Sequence, residues 1–374
     1  MLIVRVSVLF YICAMCANVV IPSDRRPGRG AASRDSGRFE TFSRSDDHDG
    51  WDIDEPLPPV RTEVTEERIT KAMNYVRSPD LPFDRTINPY RGCEHGCIYC
   101  FARPTHAFLG LSPGLDFETR LVARPGIAKG LEKELRSKRY SCAPLSIGSN
   151  TDPYQPIEKR YALMRDILEV LDRFNHPVAI VTKGTLVERD IDLLAPMAER
   201  GLVRVGISVT TLDADLSRRM EPRAPSPKRR LAIIRNLRSA GIPVRLMVSP
   251  IVPALTDPEL EAIMSEGRAA GADAASWIML RLPLEVSPLW RDWLEEHYPG
   301  RKDRVMARLR EMHDGKDYSA TWGHRMRGEG HYARLIGQRF ELVRNRLGFD
   351  PSPPALRRDL FRVPELPGTQ LSLF

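Results

Sequence analysis

The chain predicts an α/β fold, a partly closed TIM-like (β/α)6 barrel, on two observations. Short apolar runs rich in β-branched residues alternate six times with amphipathic helical segments, the pattern of parallel strand–helix units. The residues just beyond those runs are polar or ligand-capable, and catalysis in such barrels sits at the C-terminal strand ends. Composition agrees with a globular chain: of 374 residues 42% are hydrophobic and 28% charged, which sets aside collagen-like, coiled-coil and wholly disordered chains.

Taken from the start, residues 1–21 (MLIVRVSVLFYICAMCANVVI) are almost continuously apolar. They read either as an extension upstream of the working protein or as a membrane anchor, with a cleaved signal the weaker form of the latter. Over 22–59 Gly, Ser, Arg and Asp dominate, too little apolar surface to offset the entropy of ordering, so a disordered tail or wrapping arm is expected. The catalytic core spans 60–285. Its strands are expected at Thr86–Tyr90, Leu145–Gly148, Val178–Thr182, Val203–Val209, Val244–Ser249 and Ser276–Leu280. Between them 126–140, 158–174, 188–200, 227–241 and 257–271 carry apolar residues three and four apart, and several end at Gly, as amphipathic helices do. A helical extension follows over 286–349, with Gly323–Gly330 between its helices as a candidate cap on the barrel. The segment 350–374 is Pro-rich and expected to be an irregular tail.

Three cysteines carry the chemistry. Cys93, Cys97 and Cys100 have the spacing C-x3-C-x2-C; with 6 cysteines in 374 residues this pattern arises by chance about 0.002 times. Three thiolates on a tight loop can hold three irons of a [4Fe-4S] cube, leaving the fourth open to a substrate or cofactor. A structural zinc site is the alternative, closed by His95 or His106 as the fourth ligand. Cys142, before the second strand, reads as a buried structural thiol.

This cysteine motif, with Tyr99 before its last member and at the end of the first strand, resembles the radical S-adenosylmethionine (SAM) superfamily. More narrowly, INPYRGCEHGCIYCFAR, GSNTDPYQPIE, VTKG, ISVTT, MEPRAPSPKRR and VSPIVP, in order from about Thr86 to Leu282, resemble the branch related to spore photoproduct lyase. The resemblance implies a radical SAM barrel in which Cys93, Cys97 and Cys100 ligate the cluster and SAM chelates its open iron. It implies reductive cleavage of SAM to a 5′-deoxyadenosyl radical that abstracts hydrogen from an unidentified substrate. It also implies Lys183 facing the methionyl carboxylate, Ser208 near the amino-acid or ribose end and Tyr99 beside the adenine, with an external flavodoxin or ferredoxin as electron donor; Lys183 and Ser208 also read as ordinary strand-end residues. The lyase carries an additional cysteine at the end of its second strand; here Ser146–Asp152 has none, so chemistry type transfers and substrate does not, and a DNA repair lyase of the photoproduct type stands as the alternative reading.

Net charge +7 over 374 residues permits nucleic acid without requiring it. Arg218, Arg219, Arg223, Lys228, Arg229 and Arg230 either bind phosphates at the mouth or begin helices with solvated bases. A basic, non-catalytic nucleic-acid-binding module with a structural metal is therefore a second reading of the whole chain. A cytoplasmic enzyme is expected, membrane-anchored only if 1–21 is an anchor.

Overall fold

The computed structural model describes residues 21, 26–41 and 59–365. Its strands are β1 (Glu63–Glu66), β2 (Met73–Tyr75), β3 (Arg85–Ile87), β4 (Tyr90–Arg91), β5 (Arg120–Ala123), β6 (Leu145–Ile147), β7 (Val178–Thr182), β8 (Val203–Ser208), β9 (Val244–Ile251) and β10 (Ala274–Met279). The helices are α1 (Asp116–Thr119), α2 (Ile127–Leu135), α3 (Glu158–Tyr161), α4 (Leu163–Arg173), α5 (Ile191–Glu199), α6 (Ala214–Met220), α7 (Pro227–Ser239) and α8 (Leu260–Ala269), then α9 (Val286–His297), α10 (Pro299–Glu311) and α11 (Gly330–Arg346).

Six strands, β3 and β6 to β10, run parallel in chain order, and β2 adds an antiparallel edge beside β3. The order β10-β9-β8-β7-β6-β3-β2 has two free ends, so the barrel is open. Its six parallel strands are those the apolar runs predict, with ends moved by at most a few residues. Register places Ile87, Ile147, Ile180, Val205 and Val244 side by side across five strands, all at most 1% exposed. That row is why the runs are β-branched and continuous: a parallel sheet is covered on both faces. The small sheet β1-β5-β4 is not legible in the sequence, because its strands are short and half-polar.

Helix caps follow local chemistry. Ser226 accepts from the Arg229 N–H at the start of α7, with Pro227 in the first turn, and the Asp213 carboxylate caps α6 through Asp215 and Leu216. The single helix expected over 158–174 is instead two. Ala162 sits at φ 52°, and the Glu158 carboxylate accepts from the Met164 N–H at 3.1 Å, which starts α4 afresh.

Both end segments pack on the core. Over 26–41 the chain is an arm packed on the core: Ala31 and Ser33 are buried, and the Gly30 and Ala31 N–H groups donate to Glu118 at 2.8 and 2.9 Å. Two carboxylate oxygens supply the anchoring that composition does not show. At the other end, 350–365 is irregular yet docked. Arg362 N–H donates to Phe174 O and Arg357 N–H to Gly201 O, while the Phe361 ring sits 5.6 Å from those of Tyr140 and His176. This tail lies across the N-terminal ends of β7 and β8. Cys142 is half-buried rather than buried, at the N-terminal side of β6. The apolar 1–20 lies outside the described residues; among those described, no helix is long and apolar enough to cross a membrane.

Candidate functional site

The three cysteines occupy one loop, 92–102, beyond β4 at the C-terminal end of the sheet. Gly92 (φ 73°) opens it: an added Cβ would lie 2.6 Å from Leu121 and 2.8 Å from Phe117 O, so only glycine allows the turn and the close approach. Backbone bonds hold the loop to distant elements, with Cys93 N–H donating to Phe117 O, Ile98 N–H to Met220 O and Arg223 N–H to His95 O. Beneath it the fully buried Arg103 donates to the carbonyls of Cys97 (3.0 Å) and Gly96 (3.3 Å), and its charge is met by buried Glu118. The cysteine loop is thus seated on a buried ion pair that also carries the arm.

Cys93 and Cys97 are 6% and 8% exposed, Cys100 is half-buried, and all three are free thiols. Burial pushes the Cys97 thiol up to about 12 and the Cys93 thiol well above its usual value, so a bound metal has to displace their protons. No three His, Cys, Asp or Glu side chains among the described residues converge on a point that could hold a single metal ion. Each histidine of the zinc alternative has one ring nitrogen occupied, His95 Nδ1 lying 3.3 Å from Asp152 and His106 Nε2 bonding Arg120 O at 2.8 Å, and neither joins the cysteines in a group placed to hold a single metal ion. Three thiols on one loop suit a polynuclear cluster, where each binds a different iron.

Above Cys97 a buried polar network joins three strand ends. Glu221, 1% exposed, accepts from the Tyr99 hydroxyl, from Thr210 Oγ1 at 2.9 Å and from Arg230, and lies 3.9 Å from Lys183 Nζ. Arg230 also donates to the carbonyl of Ser208 at 3.2 Å. Burial alone would raise the Glu221 carboxyl, but the Arg230 and Lys183 charges outweigh it and hold it at about 2. Asp152, from the β6 end, organises the next turn: it accepts from Thr182 Oγ1 (2.6 Å), Lys183 N–H (2.7 Å) and Tyr154 N–H (2.9 Å). His95 and these donors outweigh burial there too, leaving the carboxyl at about 2.

The structure therefore brings Tyr99, Lys183 and, through Arg230, Ser208 around one carboxylate beside Cys97. Sequence reasoning missed that carboxylate; its only signal was a lone acid among the bases of MEPRAPSPKRR. Of the six bases read either as phosphate binders or as helix-start bases, Arg230 is buried against Glu221, Arg229 pairs with Glu188 and Arg223 with Glu94, while Arg218, Arg219 and Lys228 are exposed without such pairs among the described residues, Arg219 lying over the Tyr298 ring.

Residues 87–266 match the model of the radical SAM superfamily. Over 235 residues the chain is 40% identical to the uncharacterized protein Mb2609c of Mycobacterium bovis, covering 62% of this chain and 68% of that one. Over 239 residues it is 28% identical to the uncharacterized protein MJ0683 of Methanocaldococcus jannaschii, covering 64% and 85%. Among solved structures, spore photoproduct lyase complexed with dinucleoside spore photoproduct superposes with a TM-score of 0.54 at 16% identity, covering 77% of this chain and 80% of that chain, a likeness of fold. The chain belongs to the radical SAM superfamily. It is an enzyme of that superfamily, whose cofactors are a [4Fe-4S] cluster and SAM, on a fold shared with the lyase.

Proposed function

We propose that Cys93, Cys97 and Cys100 ligate the cluster, and that Lys183, Tyr99 and Ser208 contact SAM in a hydrogen-abstraction reaction. When bound there, cluster and SAM supply one-electron cleavage of a carbon–sulfur bond, driven by an external donor of flavodoxin or ferredoxin type. What carries the reading is a single observation: three free, mostly buried thiols with the C-x3-C-x2-C spacing lie on one loop at the C-terminal end of a parallel sheet.

The chain's own groups have defined tasks. Lys183, 16% exposed, has three N–H donors and one carboxylate at 3.9 Å, which leaves donors for a second carboxylate such as that of a methionyl group. Its charge, 5.9 Å from the Tyr99 ring centre, favours the thiolate of Cys97. Tyr99 is fixed by Glu221 and cannot swing, which keeps one wall of the cofactor site in place. The buried Arg103–Glu118 pair keeps water from the back of the thiol loop.

Anaerobic reconstitution is expected to load about four irons per chain, and dithionite with SAM to release 5′-deoxyadenosine. Cys97→Ala is expected to abolish both. Zinc without iron–sulfur absorbance, or SAM cleavage surviving in Cys97→Ala, overturns the proposal. A photoproduct-lyase activity is disfavoured by the β6 end, since Ser146–Asp152 offers no thiol and Cys142 lies on the opposite side of the sheet.

A further inference from the structure

Most cations at the barrel mouth have a carboxylate. Arg103 faces Glu118, Arg230 faces Glu221, and Arg325 Nε donates to Asp80 at 2.6 Å. Arg281 does not. It stands two residues beyond β10, and among the described residues no carboxylate lies within ion-pair distance of it; of the acidic groups that act on it, the Tyr318 hydroxyl, the Cys100 thiol and Asp80, the one carboxylate is taken by Arg325 and the Gly323 N–H. Among the described residues its one hydrogen bond runs from Nη1 to the thioether of Met326 at 3.3 Å, a weak acceptor. Its guanidinium carbon lies 4.2 Å from the centre of the Phe101 ring, and Phe101 follows Cys100 directly.

We infer that Arg281 binds an oxyanion, a phosphate or carboxylate, of the enzyme's substrate beside the thiol loop. A desolvated cation without a counter-charge costs stability, and the cost is recovered when an anion arrives. Stacking on Phe101 covers one face of the guanidinium and leaves its N–H edge for a planar, two-oxygen contact. The position is preorganised. Met279 N–H donates to Met326 O at 2.9 Å, so the 321–328 segment that carries the thioether is tied to β10, and the Asp80–Arg325 pair anchors the same segment to the 78–80 turn. Neighbouring Arg325 adds positive potential. The assignment to substrate rests on the radical SAM reading of the same mouth.

The test is thermal unfolding of the reconstituted full chain with SAM, in chloride, phosphate or acetate at matched ionic strength. Wild type is expected to gain about 3 °C in one of the two anions at roughly tenfold excess over its Kd. A gain in phosphate assigns a phosphorylated substrate, and a gain in acetate a carboxylate. Arg281→Gln is expected to show neither gain, and to melt in chloride no lower than wild type, because an unpaired charge has been removed. Equal gains in both proteins, no gain in wild type, or a several-degree loss in Arg281→Gln in chloride overturns the inference. An anion response present only without SAM assigns Arg281 to the cofactor and also overturns it. Iron content of the same samples reports separately on the cluster, so failure there leaves the anion result readable.

Discussion

Glu221 is the residue on which the cofactor side of the mouth turns. A carboxylate that is fully enclosed holds its charge only because Arg230, Lys183, Tyr99 and Thr210 all address it. Glu221→Gln leaves Arg230 buried without a counter-charge, and a loss of about 3–5 kcal/mol in urea unfolding is expected. Glu221→Gln combined with Arg230→Met should recover much of that loss, since the uncompensated charge goes with it. SAM affinity, measured by equilibrium dialysis on the reconstituted chain, should remain weakened in both, because Tyr99 and Lys183 lose their anchor. Stability unaffected in the single variant would remove Glu221 from this role. The thiols were legible because three cysteines within eight residues form a local pattern, whereas Glu221 meets its partners only through space.

Among the elements, the arm and the thiol loop interlock. Gly30 passes so close to the loop that an added Cβ would lie 2.0 Å from Gly96 O, and Gly96 itself needs φ 67°. Gly30→Ala is therefore expected to lift the arm from Glu118 while leaving the sheet folded. Limited proteolysis should cut within 26–41 faster than in wild type, and iron retained after reconstitution should fall; unchanged cleavage and iron would separate the arm from the loop. The core strands were legible because both faces of a parallel sheet are apolar, so burial leaves continuous runs. The arm was legible only as one of two readings of 22–59, beside a disordered tail, because backbone N–H groups bonded to a distant carboxylate leave no trace in local hydrophobicity.

For the whole molecule, the C-terminal tail closes the end of the barrel away from the thiols. Its docking surface includes His176, fully buried, whose Nδ1–H donates to Pro177 O at 3.0 Å while Nε2 accepts from the Tyr140 hydroxyl at 2.6 Å. Both ring nitrogens are thus satisfied in the neutral form. Burial, aided by the Arg85 charge and opposed by the bond to Pro177, lowers its pKa to about 4 from 6.5. The unfolded chain takes up the proton first as pH falls, so the stability it contributes is whole above about 6.5 and lost progressively down to about 4, on the order of 3 kcal/mol in all. Urea unfolding across that range should show a steeper loss for wild type than for His176→Gln; identical slopes would sink the assignment.

By itself the sequence determined the alternation of strands and helices, the open ring of strand ends and the thiol loop among them, because periodicity and cysteine spacing are local. Only the tertiary structure decided which charges are spent and which are free. Of two arginines that look alike along the chain, Arg230 is neutralised by a carboxylate nine residues away, while Arg281 meets only an aromatic face and a thioether. Charge pairing is set by distances between strand ends in space, and no pattern along the chain records them.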